Sequence, residues 1–265
     1  MRAAPMTSML LALLATLGAA RYAAAQTLAQ RVRSAESGIV QVHYTSRPGV
    51  CGDGRRFFSM GGHSYFGEWS GDRDRRASCV PGPARVRMRL NGGIVTELRV
   101  AVGPDVAHQE RATDLGEVRS AEAAAFFLGL AETSDGRVAK EAITAAVLAD
   151  SVSVWPRLLS IAADSARAGR STRRDALFWL SQFATAKVMG HGEDITEIGG
   201  GDDRDDTRGD AVFALSQMRG RQGLDPLLQI ARTHRDPHVR SKALFWIGQS
   251  GDARAVALFR EILRG

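Results

Sequence analysis

Gly61-Gly62-His63-Ser64 is the string in this 265-residue chain that most resembles catalytic apparatus. Glycine amides of that kind can cradle an oxyanion, with a histidine as base and a serine hydroxyl as nucleophile. Such chemistry needs a third, orienting carboxylate, and no acidic residue is nominated for it. Gly-x-Ser-x-Gly, His-Glu-x-x-His and phosphate-binding glycine motifs do not occur. Compact glycine-rich β-units produce such strings freely. The chain therefore reads as non-enzymatic, with an envelope hydrolase or enzyme accessory using residues 61–64 as the alternative.

Metal chemistry has three candidate places, and none is assigned a metal or cofactor. His234 and His238 have a zinc-like gap, but Asp236-Pro237 between them makes a turn, so they do not share a helix face. Asp202, Asp203, Asp205 and Asp206 follow Gly199-Gly200-Gly201, with His191 and Glu193 upstream. Oxygen ligands on a loop suit calcium, yet the spacing follows neither an EF-hand nor a glycine-rich nonapeptide, so the segment reads as a solvated insertion. Cys51 and Cys79 are the two cysteines, without a Cys-x-x-Cys. In an exported chain such a pair is expected as a disulfide, worth about 3–4 kcal/mol on the chain-entropy model.

Export is expected from the N-terminus. Arg2 precedes an apolar run from Met6 to Ala20, too short to span a bilayer comfortably, and Ala23-Ala24-Ala25 offers a cleavage site after Ala25. Residues 1–25 thus read as a signal peptide and the mature protein as periplasmic or secreted, without stable membrane insertion. Cleavage lowers the formal charge from +6 to +4. That mild charge and the compartment argue against nucleic acid. Arg85, Arg87 and Arg89 form a stripe, with Arg73, Arg75 and Arg76 in the loop before it. It reads first as a solvated strand face, with Glu97 opposite for cross-strand pairing, and second as a dock for an acidic partner. His43 reads as a surface residue.

These residues sit on two stretches of different periodicity. In the first, Val40, Val42 and Tyr44 share a face, and Val86, Met88 and Leu90 alternate with the arginines. Asn91-Gly92-Gly93 then turns the chain into a second run, Ile94 to Val102. Phe57, Phe58, Tyr65, Phe66 and Trp69 would fill a small core stapled by Cys51–Cys79. From Ser120, the expected N-cap, the apolar spacing becomes helical. The expected organisation is a β-rich domain over 26–107, a linker over 108–119, and helices over 120–265, interrupted by a degenerate insertion at 188–206.

The helical stretch repeats itself. Ala176-Leu177-Phe178-Trp179-Leu180-Ser181-Gln182 recurs as Ala211-Val212-Phe213-Ala214-Leu215-Ser216-Gln217 and as Ala243-Leu244-Phe245-Trp246-Ile247-Gly248-Gln249, with a weaker copy from Val138. Offsets of 35 and 32 residues belong to helical-hairpin repeats. Asp236 should cap a helix that accepts Pro237 in its first turn; Val239, Ala243 and Ile247 should bury one face, and Gly248 should let a neighbour approach. The segment Asp236–Gly248 resembles the short bacterial HEAT repeat of the phycobilisome-lyase type, over about residues 138–265. That resemblance implies an all-α right-handed solenoid of HEAT-like hairpins, which after the small disulfide-linked β-unit read above makes the chain α+β. It also implies arginines (Arg173, Arg208, Arg240) reaching acidic caps of the next repeat. The function it implies is a non-catalytic scaffold or adaptor binding a protein partner, through the second helices, with the Asp-rich insertion as a second candidate surface. A regulatory role in envelope signalling is a further alternative. Trp179 and Trp246 read as inter-repeat packing rather than a binding strip.

Overall fold

The computed structural model describes residues 26–55, 57–60, 63–65, 79–106, 111–197, 207–218 and 222–265, and the backbone alone at 63–65 and 207–210. The signal peptide expected at 1–25, Phe66, Trp69, the arginines at 73–76 and the aspartates at 202–206 lie outside them.

Two β-sheets precede the helices. The larger has the order β7-β6-β1-β8, built from β1 (Gly38–Tyr44), β6 (Ala84–Asn91), β7 (Ile94–Val102) and β8 (Thr113–Glu117). Alternation does what it predicts: Val40, Val42, Tyr44, Ala84, Val86, Met88 and Leu90 are buried and their neighbours face out. The β6–β7 hairpin turns at Gly92 and Gly93, whose φ of 57° and 74° suit glycine. The smaller sheet, β4-β3-β2-β5, joins β2 (Cys51–Gly52), β3 (Phe58–Met60), β4 (His63–Tyr65) and β5 (Val80–Pro81). Cys51 and Cys79 are disulfide-bonded, with Cα atoms 5.1 Å apart, so the staple closes this smaller sheet.

The expected linker is a correction. Thr113–Glu117 within it forms β8, which runs parallel beside β1. The β-rich part and the helices meet in one continuous core, formed by buried side chains from Leu28 to Leu263. The short helix α1 (Leu28–Ser34), α2 (Ser120–Thr133) and α3 (Gly136–Val147) belong to that junction; Leu28 N donates to Glu122 and α3 packs on β7. Buried Tyr44 donates its hydroxyl to Ala145 O, 2.5 Å away, and Arg47 donates to Val147 O and Val152 O, each at 2.7 Å. Arg47 also lies over the Phe183 ring; burial lowers its pKa, opposed by Asp194, Glu193 and Asp150. Ser120 is the first residue of α2 rather than its cap, and its hydroxyl donates to Thr45 O.

The remaining helices are α4 (Trp155–Ala163), α5 (Arg170–Val188), α6 (Thr207–Ser216), α7 (Leu224–Thr233), α8 (Pro237–Ser250) and α9 (Arg254–Arg264). Asp236 caps α8 by accepting from His238 N, with Pro237 at the helix start. Val239, Ala243 and Ile247 are buried, as are Val256, Phe259 and Leu263 on α9. Helices α7 and α9 are parallel: Arg254 at the start of one reaches Asp225 at the start of the other, and Arg232 meets Glu261 at 3.1 Å. The four helices α6–α9 thus form two successive hairpins in regular order.

A simple ladder would then place α6 against α5. Instead α8 packs along α5, and α9 covers α5 and α4. The direction is reversed as well. Gly251, after the end of α8, lies against Arg174 in the first turn of α5; Gly248 lies against Ser181; and Lys187 at the far end of α5 donates to Leu263 O at the end of α9. Helices α5 and α8 are therefore antiparallel, where equivalent helices of a ladder run parallel. The physical reason lies in the copy at Ala176: the described residues after α5, 189–197, form turns rather than a second helix, so its face is available to the last hairpin.

Candidate functional site

The helical half has four faces to cover. The start of the first half, α3, lies against β7 and Tyr44. The downstream faces of α5 and α8 cover each other. Among the described residues what remains is the upstream face of α6, which in a ladder would receive the preceding repeat. Its residues match, position by position, a set fully packed in α5. Ala176, Trp179, Leu180 and Phe183 are at most 3% exposed. Their counterparts on α6 and just beyond it are Ala211, Ala214, Leu215 and Met218; three are exposed, Met218 by 47%, and Leu215 is half-buried. Among residues 211–218, only Val212 is buried.

Next to that face lies an aromatic cluster. Trp246 meets Phe213 at a tilt, with ring centroids 5.2 Å apart, and Phe245 edge-on, at 5.1 Å. Phe213 and Phe245 are 48% and 38% exposed, and with Met218 they are three of the five large exposed hydrophobics among the described residues. Trp246 also walls a cleft of about 370 Å³ where the ends of α6 and α8 meet the start of α7. Leu215, Met218, Leu224 and Leu227 supply its apolar lining, and Ser216, Gln217, Gln249 and Asp252 its polar lining. Ser216 and Gln217 are held in a set geometry: the serine hydroxyl donates to Phe213 O and the glutamine amide to that hydroxyl. Ser181 and Gln182 repeat this in α5, where they are buried. The buried Asp252 accepts from Arg254 N and Nε at 2.9 and 3.2 Å, so its charge is compensated. Apolar walls with a few fixed hydrogen-bonding groups suit a side chain or peptide segment better than a reaction.

This places the candidate surface on the first helices of the hairpins, not on the second helices as the repeat pattern led one to expect. The exposed phenylalanines occupy the same repeat position, 213 and 245, which is the signal the sequence offered. Trp246, expected as plain inter-repeat packing, does pack but is half-buried and open to the cleft; Trp179 is buried.

The other expected site residues are not drawn together. Gly61, Gly62 and the side chains of His63 and Ser64 lie outside the described residues; the backbone of 63–65 pairs with 58–60. His234 Nδ1 accepts from Asp236 N at 3.1 Å and so belongs to the turn before α8. His191 Nδ1 is 3.0 Å from Glu197, while Glu193 accepts from Trp155 Nε1 at 2.7 Å. Among the described residues no group of three or more potential ligands gathers, and no helix is long and apolar enough to cross a membrane. His43 pairs in register with Arg85 and Glu117 on the open face of the sheet. In the arginine stripe, Arg85 donates to Gly103 O, and Arg89 meets Glu97 at 3.3 Å. Glu97 also accepts from Arg99, and these hydrogen bonds hold its carboxyl below the usual range. The expected arginine ladder differs too. Arg240 donates to Ala231 O at 3.0 Å and Arg173 to Ala168 O at 3.4 Å, carbonyls rather than acidic caps. The side chain of Arg208 lies outside the described residues.

Residues 196–265 match the family model of HEAT repeats, which covers the two hairpins α6–α9. No curated protein and no solved structure matches the chain.

Proposed function

We propose that this chain is a non-catalytic protein-binding scaffold of the cell envelope, exported by a signal peptide cut after Ala25. HEAT repeats commonly serve as protein-interaction scaffolds, and the match over residues 196–265 supports that role here. Each half of the helical region, α3–α5 and α6–α9, is a short piece of HEAT solenoid of the small bacterial kind. The observation carrying the reading is the open cluster of Phe213, Phe245 and Trp246 beside the cleft, since exposed apolar patches of this kind mark interaction sites. The partner would insert an apolar side chain between α6 and α8 and hydrogen-bond to Gln217 and Gln249. Affinity capture from envelope extract, run in parallel with the mature chain and its Phe245→Asp variant, tests this. A stoichiometric protein retained by the first and lost by the second supports it. A partner retained equally by both would move the site elsewhere, and no partner at all would remove the stable-adaptor role.

A further inference from the structure

From the uncovered upstream face of α6, we infer that two copies of this chain pair through Ala211, Ala214, Leu215 and Met218 as a symmetric antiparallel dimer. The face has the composition of a packing surface. Small alanines three residues apart, Ala211 and Ala214, let a helix approach closely, and leucine and methionine fill the flanks. The end of a repeat array ordinarily carries a polar outer face. This end carries the residue positions that α5 buries completely.

The occupant follows from which surfaces a copy has left to offer. An upstream face in a HEAT ladder is normally met by a downstream one, the side carrying Leu177 and Ser181 on α5 and Gly248 on α8. Both downstream faces are consumed by each other within the chain. Among the described helices, the face a second copy has left to offer is therefore its own upstream face, which makes the contact isologous and closed rather than an open filament. The chain already contains an example of such pairing: α5 and α8 meet antiparallel through like faces, with the equivalent repeat positions Ser181 and Gly248 against each other. Covering one face of a three-turn helix buries roughly 400 Å² per copy, about half the share each partner contributes to a standard stable interface. The dimer is accordingly weak and concentration-dependent. Ala214 lies at the middle of the stripe, next to the two-fold axis, and does not line the cleft.

Sedimentation velocity of the purified mature chain over a wide concentration series is the primary test, and needs no variant. A reversible shift from one-chain to two-chain mass is expected, and Ala214→Glu should weaken it about tenfold or more by burying paired like charges. Because both native cysteines are bonded to each other, Ala214→Cys introduces one free thiol. Mild oxidation should cross-link it into a dimer, while Gln229→Cys on α7 should remain monomeric. A chain that stays monomeric at every concentration overturns the pairing, as does equal cross-linking of the two cysteine variants. Capture of another protein at the aromatic cleft by a chain monomeric throughout would overturn the dimer and leave the scaffold reading intact.

Discussion

Tyr44 ties the sheet to the helices with a single hydroxyl. Its ring is fully buried against Phe127, and its O–H donates to the carbonyl of Ala145 inside α3. Burial pushes the phenol far above its ordinary pKa. The sign is that of an acid whose folded pKa is raised: the contribution is fully present below the unfolded value near 10 and is lost as pH rises beyond it. Phenolate absorbance should therefore develop in the native protein without Tyr44, which ionises only on unfolding. Tyr44→Phe should leave the native titration amplitude unchanged and lower unfolding free energy by about 1 kcal/mol. A native titration step that disappears in Tyr44→Phe would show that the ring is not sealed in the junction.

At the scale of elements, the packing of α8 on α5 depends on the absence of a side chain at position 248. A Cβ there would sit 2.6 Å from Ser181 Cβ and 3.1 Å from Leu177 O, and neither atom belongs to a flexible chain end. Gly248→Ala should cost about 1–3 kcal/mol, as overpacking does, measured by urea unfolding. A double-mutant cycle with Ser181→Gly should show coupling between the two sites; additivity would place the two helices apart. The elements themselves were largely legible beforehand. Asp236-Pro237 announces the start of α8 because capping is a local matter of one carboxylate and one missing N–H. Alternation announces β1, β6 and β7 for the same local reason. Strand β8 was not legible, since Thr113–Glu117 has no alternation of its own and becomes a strand by lying beside β1. Repeat spacing likewise showed that Phe213 and Phe245 are equivalent. It did not show that they are open, because exposure depends on which helix lies next to α6, and the chain's order gives the wrong one.

At the scale of the molecule, that exchange of neighbours sets which part opens first. In a regular ladder each repeat touches only the ones before and after it in sequence, and the terminal hairpin is held on one side only. Here the terminal hairpin α8–α9 is the inner one: it is held by α5 and α4 on one side and by α6 and α7 on the other. The hairpin α6–α7, in the middle of the chain's helical half, is outermost in space, with Val212 as the one buried residue between 211 and 218. Local opening follows buried contacts and not sequence position. Native-state amide exchange should accordingly show the slowest amides in α5, α8 and α9, intermediate protection in α7, and the fastest exchange in α6. Fraying of α8–α9 ahead of α6–α7 would restore the sequential ladder and remove the antiparallel return. The same experiment repeated at high protein concentration bears on the dimer, since covering the upstream face should slow α6 in particular. If α6 stays fast while the rest is unchanged, its apolar stripe is not buried by a second copy.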